Sequence, residues 1–156
     1  MKIWFEKGSS HSVNFDIVIA VFKNVEDAKK FFNAVSRCLV PGSDYDTLKV
    51  YDLIKELGLA KEDIVKKLNY DTRRDLEEYG GELYGGITIA YRDNVFVYIE
   101  CDGKTIPAVK TILNELKNVK IIHLDLYGGC PDIDYNELAE GIAKSVNELV
   151  EFIRQN

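Results

Sequence analysis

The chain holds two histidines, His11 and His123, and their chemical interest depends on which carboxylates they meet. His123 alternates with Asp125 in the run Ile121-Ile122-His123-Leu124-Asp125-Leu126-Tyr127, so on an extended strand both side chains fall on one face. Asp16 and Glu100 occupy comparable alternating runs at 14–22 and 95–101. An imidazole among two or three carboxylates is a donor set for a divalent metal ion. It is also the material of an acid–base pair, because carboxylates brought together push one another's pKa values apart. His11 lies in Gly8-Ser9-Ser10-His11-Ser12, where hydroxyls flank an imidazole as in nucleophilic chemistry. Neighbours in sequence seldom form such a pair, and a turn rich in Gly and Ser between strands is expected on backbone grounds alone. The candidate ligand-binding or metal-binding residues are therefore His11, Asp16, Glu100, His123 and Asp125, and the sequence assigns no catalytic residue.

Other cofactor signatures do not occur. Cys38, Cys101 and Cys130 show no CxxC spacing, which leaves buried free thiols as the simple reading. Gly80-Gly81 and Gly85-Gly86 fit neither a P-loop nor a dinucleotide fingerprint, and no Gly-Lys-Ser or Gly-Lys-Thr is present. No cofactor is evident beyond a possible divalent metal at the carboxylates.

The elements that must position these residues follow from periodicity. In 14–22 apolar residues occupy both faces, the signature of a central strand. Asn24, with Asp27 three residues on, opens a helix whose stripe is Ala28, Phe31, Phe32, Val35 and Cys38, stopped by Pro41-Gly42. Residues 44–79 read as a helical insert, with short helices around Val50–Leu57, Ile64–Leu68 and 73–79. Alternation over 87–91 and 95–101 around Arg92-Asp93-Asn94 reads as a hairpin. Thr105 opens a helix with the stripe Ile106, Val109, Ile112, Leu113 and Leu116, and 120–127 is a further strand. A short strand at 2–6 and a long helix from Asp134, striped by Leu138, Ile142, Val146, Leu149 and Ile153, complete the chain.

The expected class is α+β in a single domain over 1–156. Without the first strand, the insert and the last helix, the order of elements resembles the ferredoxin-like β-α-β-β-α-β plan, an antiparallel sheet carrying two helices. Many unrelated functions use that plan, so the resemblance implies no activity. The opening Lys2-Ile3-Trp4, with Gly8-Ser9, His11-Ser12 and Asn14, resembles the start of a family of small uncharacterised prokaryotic proteins. That likeness also implies no activity and marks His11 alone.

On this plan the uniformly apolar set (Ile17, Ile19, Val97, Ile99, Leu124 and their neighbours) is expected to face the helices. The opposite set then forms an open face: Asp16, Glu100, His123 and Asp125 at one end, with Phe22, Phe96, Tyr98 and Tyr127 as an apolar patch. Such a patch normally marks an interface, and a closed homodimer is the commonest way to bury one. The leading expectation is a non-catalytic module that binds a small molecule or a second copy of itself through this face. The alternative is a small metal-dependent or acid–base enzyme at the acidic end.

Charge decides against several partners. The chain carries 26 acidic and 20 basic side chains, and an acidic surface repels phosphate backbones. The insert imitates a helix-turn-helix, yet 41–80 holds ten acidic and seven basic residues. Phe96 and Tyr98 sit as RNA-stacking aromatics would, but Asp93-Asn94 stand where a basic residue and a glycine belong. No nucleic-acid partner is expected, and no membrane partner, since no apolar run approaches the roughly 18 residues of a span. The first residues lack the apolar centre of a secretory signal, so the expected location is cytoplasmic. One glutamine among many Lys, Glu, Ile and Tyr leans toward a thermophilic composition, and ten asparagines lean against it.

Overall fold

The β-branched run that ends at Phe22 forms a strand with a partner on each side. A computed structural model describes residues 12–129, with side chains from 16 to 124. The elements are β1 (Ser12–Phe22), α1 (Val25–Cys38), β2 (Leu39–Val40), β3 (Asp46–Lys49), α2 (Val50–Glu56), α3 (Lys61–Val65), α4 (Tyr70–Glu78), β4 (Glu82–Arg92), β5 (Val95–Cys101), α5 (Ile106–Glu115) and β6 (Val119–Gly129). They form an α+β protein with an open six-stranded sheet, ordered β2-β3-β4-β5-β1-β6, in which every pairing is antiparallel. Among the described residues there are five helices, and none is long and apolar enough to cross a membrane. The expected strand at 2–6, the final helix, His11 and Cys130 lie outside the described residues. Asp125 and Tyr127 are placed by backbone only.

Local chemistry accounts for the boundaries. Asn24 Oδ1 accepts the Asp27 N–H at 2.9 Å, and Glu26, Asp27 and Arg37 complement the dipole of α1. Asp93 takes φ 53° in the β4–β5 turn, and Asn94 Nδ2 donates to the Phe22 carbonyl, tying the turn to the end of β1. The cysteine at the end of α1, Cys38, is buried, and burial raises its thiol pKa, which makes it an inert core residue.

The faces of the sheet are the reverse of the sequence expectation. The hydrophobic cluster that takes up the stripes of α1 and α5 contains Val18, Ala20, Phe22, Phe96 and Tyr98. Phe31 of α1 meets Phe96 edge-on at 4.8 Å between centroids and lies 5.6 Å from Phe22. Phe22, Phe96 and Tyr98 are therefore core residues under the helices, and a self-association surface built on them is excluded. The physical reason is that both faces are buried. Ile17, Ile19, Val97 and Ile99 are as inaccessible as Phe96, so apolarity alone could not say which set met the helices. In β4, Ile89 pairs with Tyr98 and Tyr91 with Phe96, so Ile87, Ile89 and Tyr91 lie on the helix side.

The insert is more than helical. It contains β3, which pairs with β4 and with the two-residue β2 and so extends the sheet. These strands are too short for alternation to announce them, and only Leu48 of β3 is buried. β4 starts five residues before the expected 87, because Gly85 and Gly86 lie inside the strand instead of ending the insert. α3 packs against α5 and α4 against β4, which makes these insert helices packing elements.

Candidate functional site

Register brings the candidate residues together. Asp16 on the central strand β1 pairs with Glu100 of β5 on one side and with Asp125 of β6 on the other. His123, two residues before Asp125, points to the same face. Its Nε2 lies 2.7 Å from Asp16 Oδ1, and its Nδ1 lies 3.1 Å from Lys110 Nζ on α5. An ammonium only donates and a carboxylate only accepts. The arrangement therefore fits a neutral imidazole that accepts from Lys110 at Nδ1 and donates from Nε2 to Asp16. Both ring nitrogens are engaged, so His123 fixes the orientation of the Asp16 carboxyl.

Glu100 occupies a different environment a few ångströms along the sheet. It is only 2% exposed. Its Oε2 accepts the Thr105 N–H at 2.8 Å and the Thr105 hydroxyl. That hydroxyl has one hydrogen, so the 2.7 Å contact with Tyr98 is made by the tyrosine donating. The result is a buried chain from Tyr98 through Thr105 to Glu100. Thr105 is the N-cap residue of α5, as its place in the sequence suggested, but its side chain makes no cap bond to the helix; its N–H and hydroxyl both go to the carboxyl of Glu100. Two glycines make room for the carboxyl. A Cβ at Gly85 would sit 2.9 Å from Glu100 Oε2, and one at Gly103 would sit 2.9 Å from Glu100 Cδ. Burial raises the pKa of Glu100, outweighing the Thr105 hydrogen bonds that lower it, and the charge of Asp16 raises it further. Burial and the neighbouring Glu100 likewise raise the phenol of Tyr98.

This shift has a consequence for stability. The folded-state pKa of Glu100 lies above its ordinary 4.5, so its stabilising contribution is complete below that value and is lost as pH rises through the folded pKa. Glu100→Gln keeps an oxygen for both Thr105 donors and removes the ionisation. Its stability relative to the natural chain should therefore increase as pH rises above the ordinary carboxyl value of 4.5. Urea unfolding at several pH values measures this, and parallel curves would mean that the carboxyl ionises as freely in the fold as in the unfolded chain.

Asp16, Glu100 and His123 open into a cleft of about 440 Å³. Its other wall comes from the insert and from the turn after β5: Asn69, Asp71, Thr72, Arg74 and Asp75 at the start of α4, and Gly103, Lys104, Ile106 and Pro107. Asp75 is buried and lies 3.6 Å from Lys104 Nζ. Among the described residues no group of three or more His, Cys, Asp or Glu side chains is arranged to hold a metal ion. Sequence reasoning missed Thr105, Lys110, Asp75, Lys104 and Arg74. Lys110 lies one turn into a helix whose stripe gave no sign of a polar contact, and nothing local placed the start of α4 on the wall of a cleft that Asp16 also lines. No protein-family model matches the chain, and comparison with curated proteins and with solved structures returns no match.

Proposed function

We propose that the protein binds a small polar molecule in the cleft over β1, β5 and β6, on a scaffold that follows the ferredoxin-like plan. The observation that carries this reading is the gathering of Asp16, Glu100 and His123, remote in sequence, at the floor of one cleft, with Asp75, Lys104 and Arg74 on the facing wall. A protein interior that needed only stability would fill this volume with apolar side chains, since burying a carboxylic acid gains nothing by itself. Glu100 also has a structural duty at the start of α5, and that duty accounts for its hydrogen bonds but not for the opening beside it.

A second reading is favoured by the contrast between the two carboxyls. Glu100 is desolvated and its neutral form is favoured, whereas Asp16 is held as an acceptor by His123. Neighbouring carboxyls in unlike environments are the arrangement an acid–base catalyst requires, with the buried Glu100 as proton donor and Asp16 as acceptor.

The test is a nitrogen-15 NMR screen of the full chain against small amines, polyols and carbonyl compounds. Hits should shift the amides of Asp16, Glu100, Thr105 and His123, and Asp16→Asn should weaken them. Shifts confined to other regions would remove the cleft as a binding site. Any hit that is turned over should slow by at least about 100-fold in both Asp16→Asn and Glu100→Gln, while its affinity changes far less. Equal turnover in the variants would leave a binding protein only.

A further inference from the structure

At the end of the sheet away from the cleft, a second hollow opens between the start of α1 and the end of α5. Its floor is Phe22, the last residue of β1, and Phe31 of α1, both buried. Leu57 after α2, Leu116 after α5 and Val119 at the start of β6 wall it, each only partly buried although packed against the core. Phe22 and Val119 are register partners. Along β1, Phe22 lies about 20 Å of extended strand from Asp16. The hollow holds about 280 Å³ and shares no lining residue with the cleft.

Partly covered apolar walls gain about 25 cal/mol for each Å² taken from water, so this space favours a hydrocarbon occupant. It has room for about nine water volumes. The polar part of the lining is Asp27, Lys30 and Lys117, all exposed. Neither ammonium group enters an ion pair or hydrogen bond among the described residues. Asp27 lies in the first turn of α1, where the partial positive charge of the helix end offsets it. The last carbonyls of α5 offset Lys117 in the same way, which leaves Lys30 in excess. A lining with more ammonium groups than carboxylates runs against the composition of a chain with 26 acidic and 20 basic side chains. An apolar body with one negative end complements both halves of this lining. We infer that the hollow binds a small monocarboxylate with an apolar body, its hydrocarbon over Phe22, Phe31 and Leu116 and its carboxylate at Lys30 and Lys117. This inference is independent of the reading of the cleft.

The experiment is a nitrogen-15 NMR titration of the 156-residue chain with hexanoate, hexylammonium and acetate, repeated in Lys30→Gln and Lys117→Gln. Both lysines are exposed, so these variants leave the core untouched. Hexanoate should move the amides of Phe22, Phe31, Leu116 and Val119 together and leave those of Asp16 and Glu100 in place. Acetate, which lacks the apolar body, should give no saturating shift, and hexylammonium should bind more weakly than hexanoate. Each lysine variant should weaken hexanoate about two- to fivefold, the effect of one exposed ion pair, without weakening hexylammonium. Equal binding of hexylammonium and hexanoate, or a hexanoate affinity unchanged in both variants, overturns the assignment of charge. Hexanoate that moves no amide around the hollow, or moves those of Asp16 and Glu100 instead, overturns the site.

Discussion

Phe96→Ala is expected to cost about 3–5 kcal/mol of stability and to lower the thermal midpoint by on the order of 10 °C. Phe96 is fully buried. It stands edge-on to Phe31 at 4.8 Å and within 6.5 Å of both Phe32 and Tyr98. Truncation would leave a cavity whose walls are strand backbone and α1, neither of which can collapse far. The result discriminates between the two assignments of the sheet face. A phenylalanine on an open surface patch would lose little on truncation, since surface substitutions generally fall within about 0.5 kcal/mol. A midpoint shift of a degree or two in differential scanning calorimetry would mean that α1 does not lie over this side of the sheet.

The second large effect is expected at Gly103. Its φ is not in the left-handed region, so backbone freedom is not the issue; space is. An added Cβ would meet the Gly85 Cα at 2.5 Å and the Glu100 carboxyl at 2.9 Å. The first of these is backbone of β4 and cannot turn aside, so Gly103→Ala must move the turn after β5 away from the sheet. Overpacking of this kind costs about 1–3 kcal/mol, and here the upper part of that range is expected because the obstacle is main chain. The displaced turn carries Lys104 and Thr105, so the variant should also change the environment of Glu100. NMR shifts at Thr105 and Ile106, together with urea unfolding, measure both effects. Gly58 is the useful contrast: it has φ 70° and open space, so Gly58→Ala should show only the cost of a left-handed alanine, about 1–2 kcal/mol, and no change at Glu100. Equal behaviour of the two variants would mean that the contact among Gly85, Gly103 and Glu100 is not tight.

Much of the scaffold was legible from periodicity. The bounds of α1 and β5 follow directly from the apolar stripe 28–38 and the alternation 95–101, because each element must bury one face and repeats at its own period. The antiparallel neighbours of β1 put Asp16 level with Glu100 and Asp125, and that level followed from the order of elements once the strands were identified. The excess of acidic over basic side chains, from which no nucleic-acid partner is expected, is a property of composition, independent of the fold.

Composition and pattern could not decide which face of the sheet the helices covered. Strands of this sheet are apolar on both sides, and a two-sided pattern carries no sign; the side is settled by how Phe31 and Phe32 of α1 fit against Phe22, Phe96 and Tyr91. The same fit turned Glu100 from an expected surface group into a buried acid. Gly85 and Gly103 give clearance for that acid, which only the packing of two distant segments could reveal. The polar neighbours of these residues, Lys110 at His123 and Asp75 with Lys104 on the cleft wall, lie on segments whose own sequence patterns give no sign of the contact. The sequence determined the elements, their order and the identity of the carboxyls, because these depend on neighbours along the chain. The environment of each carboxyl was decided by tertiary structure, because desolvation and hydrogen bonding depend on neighbours in space.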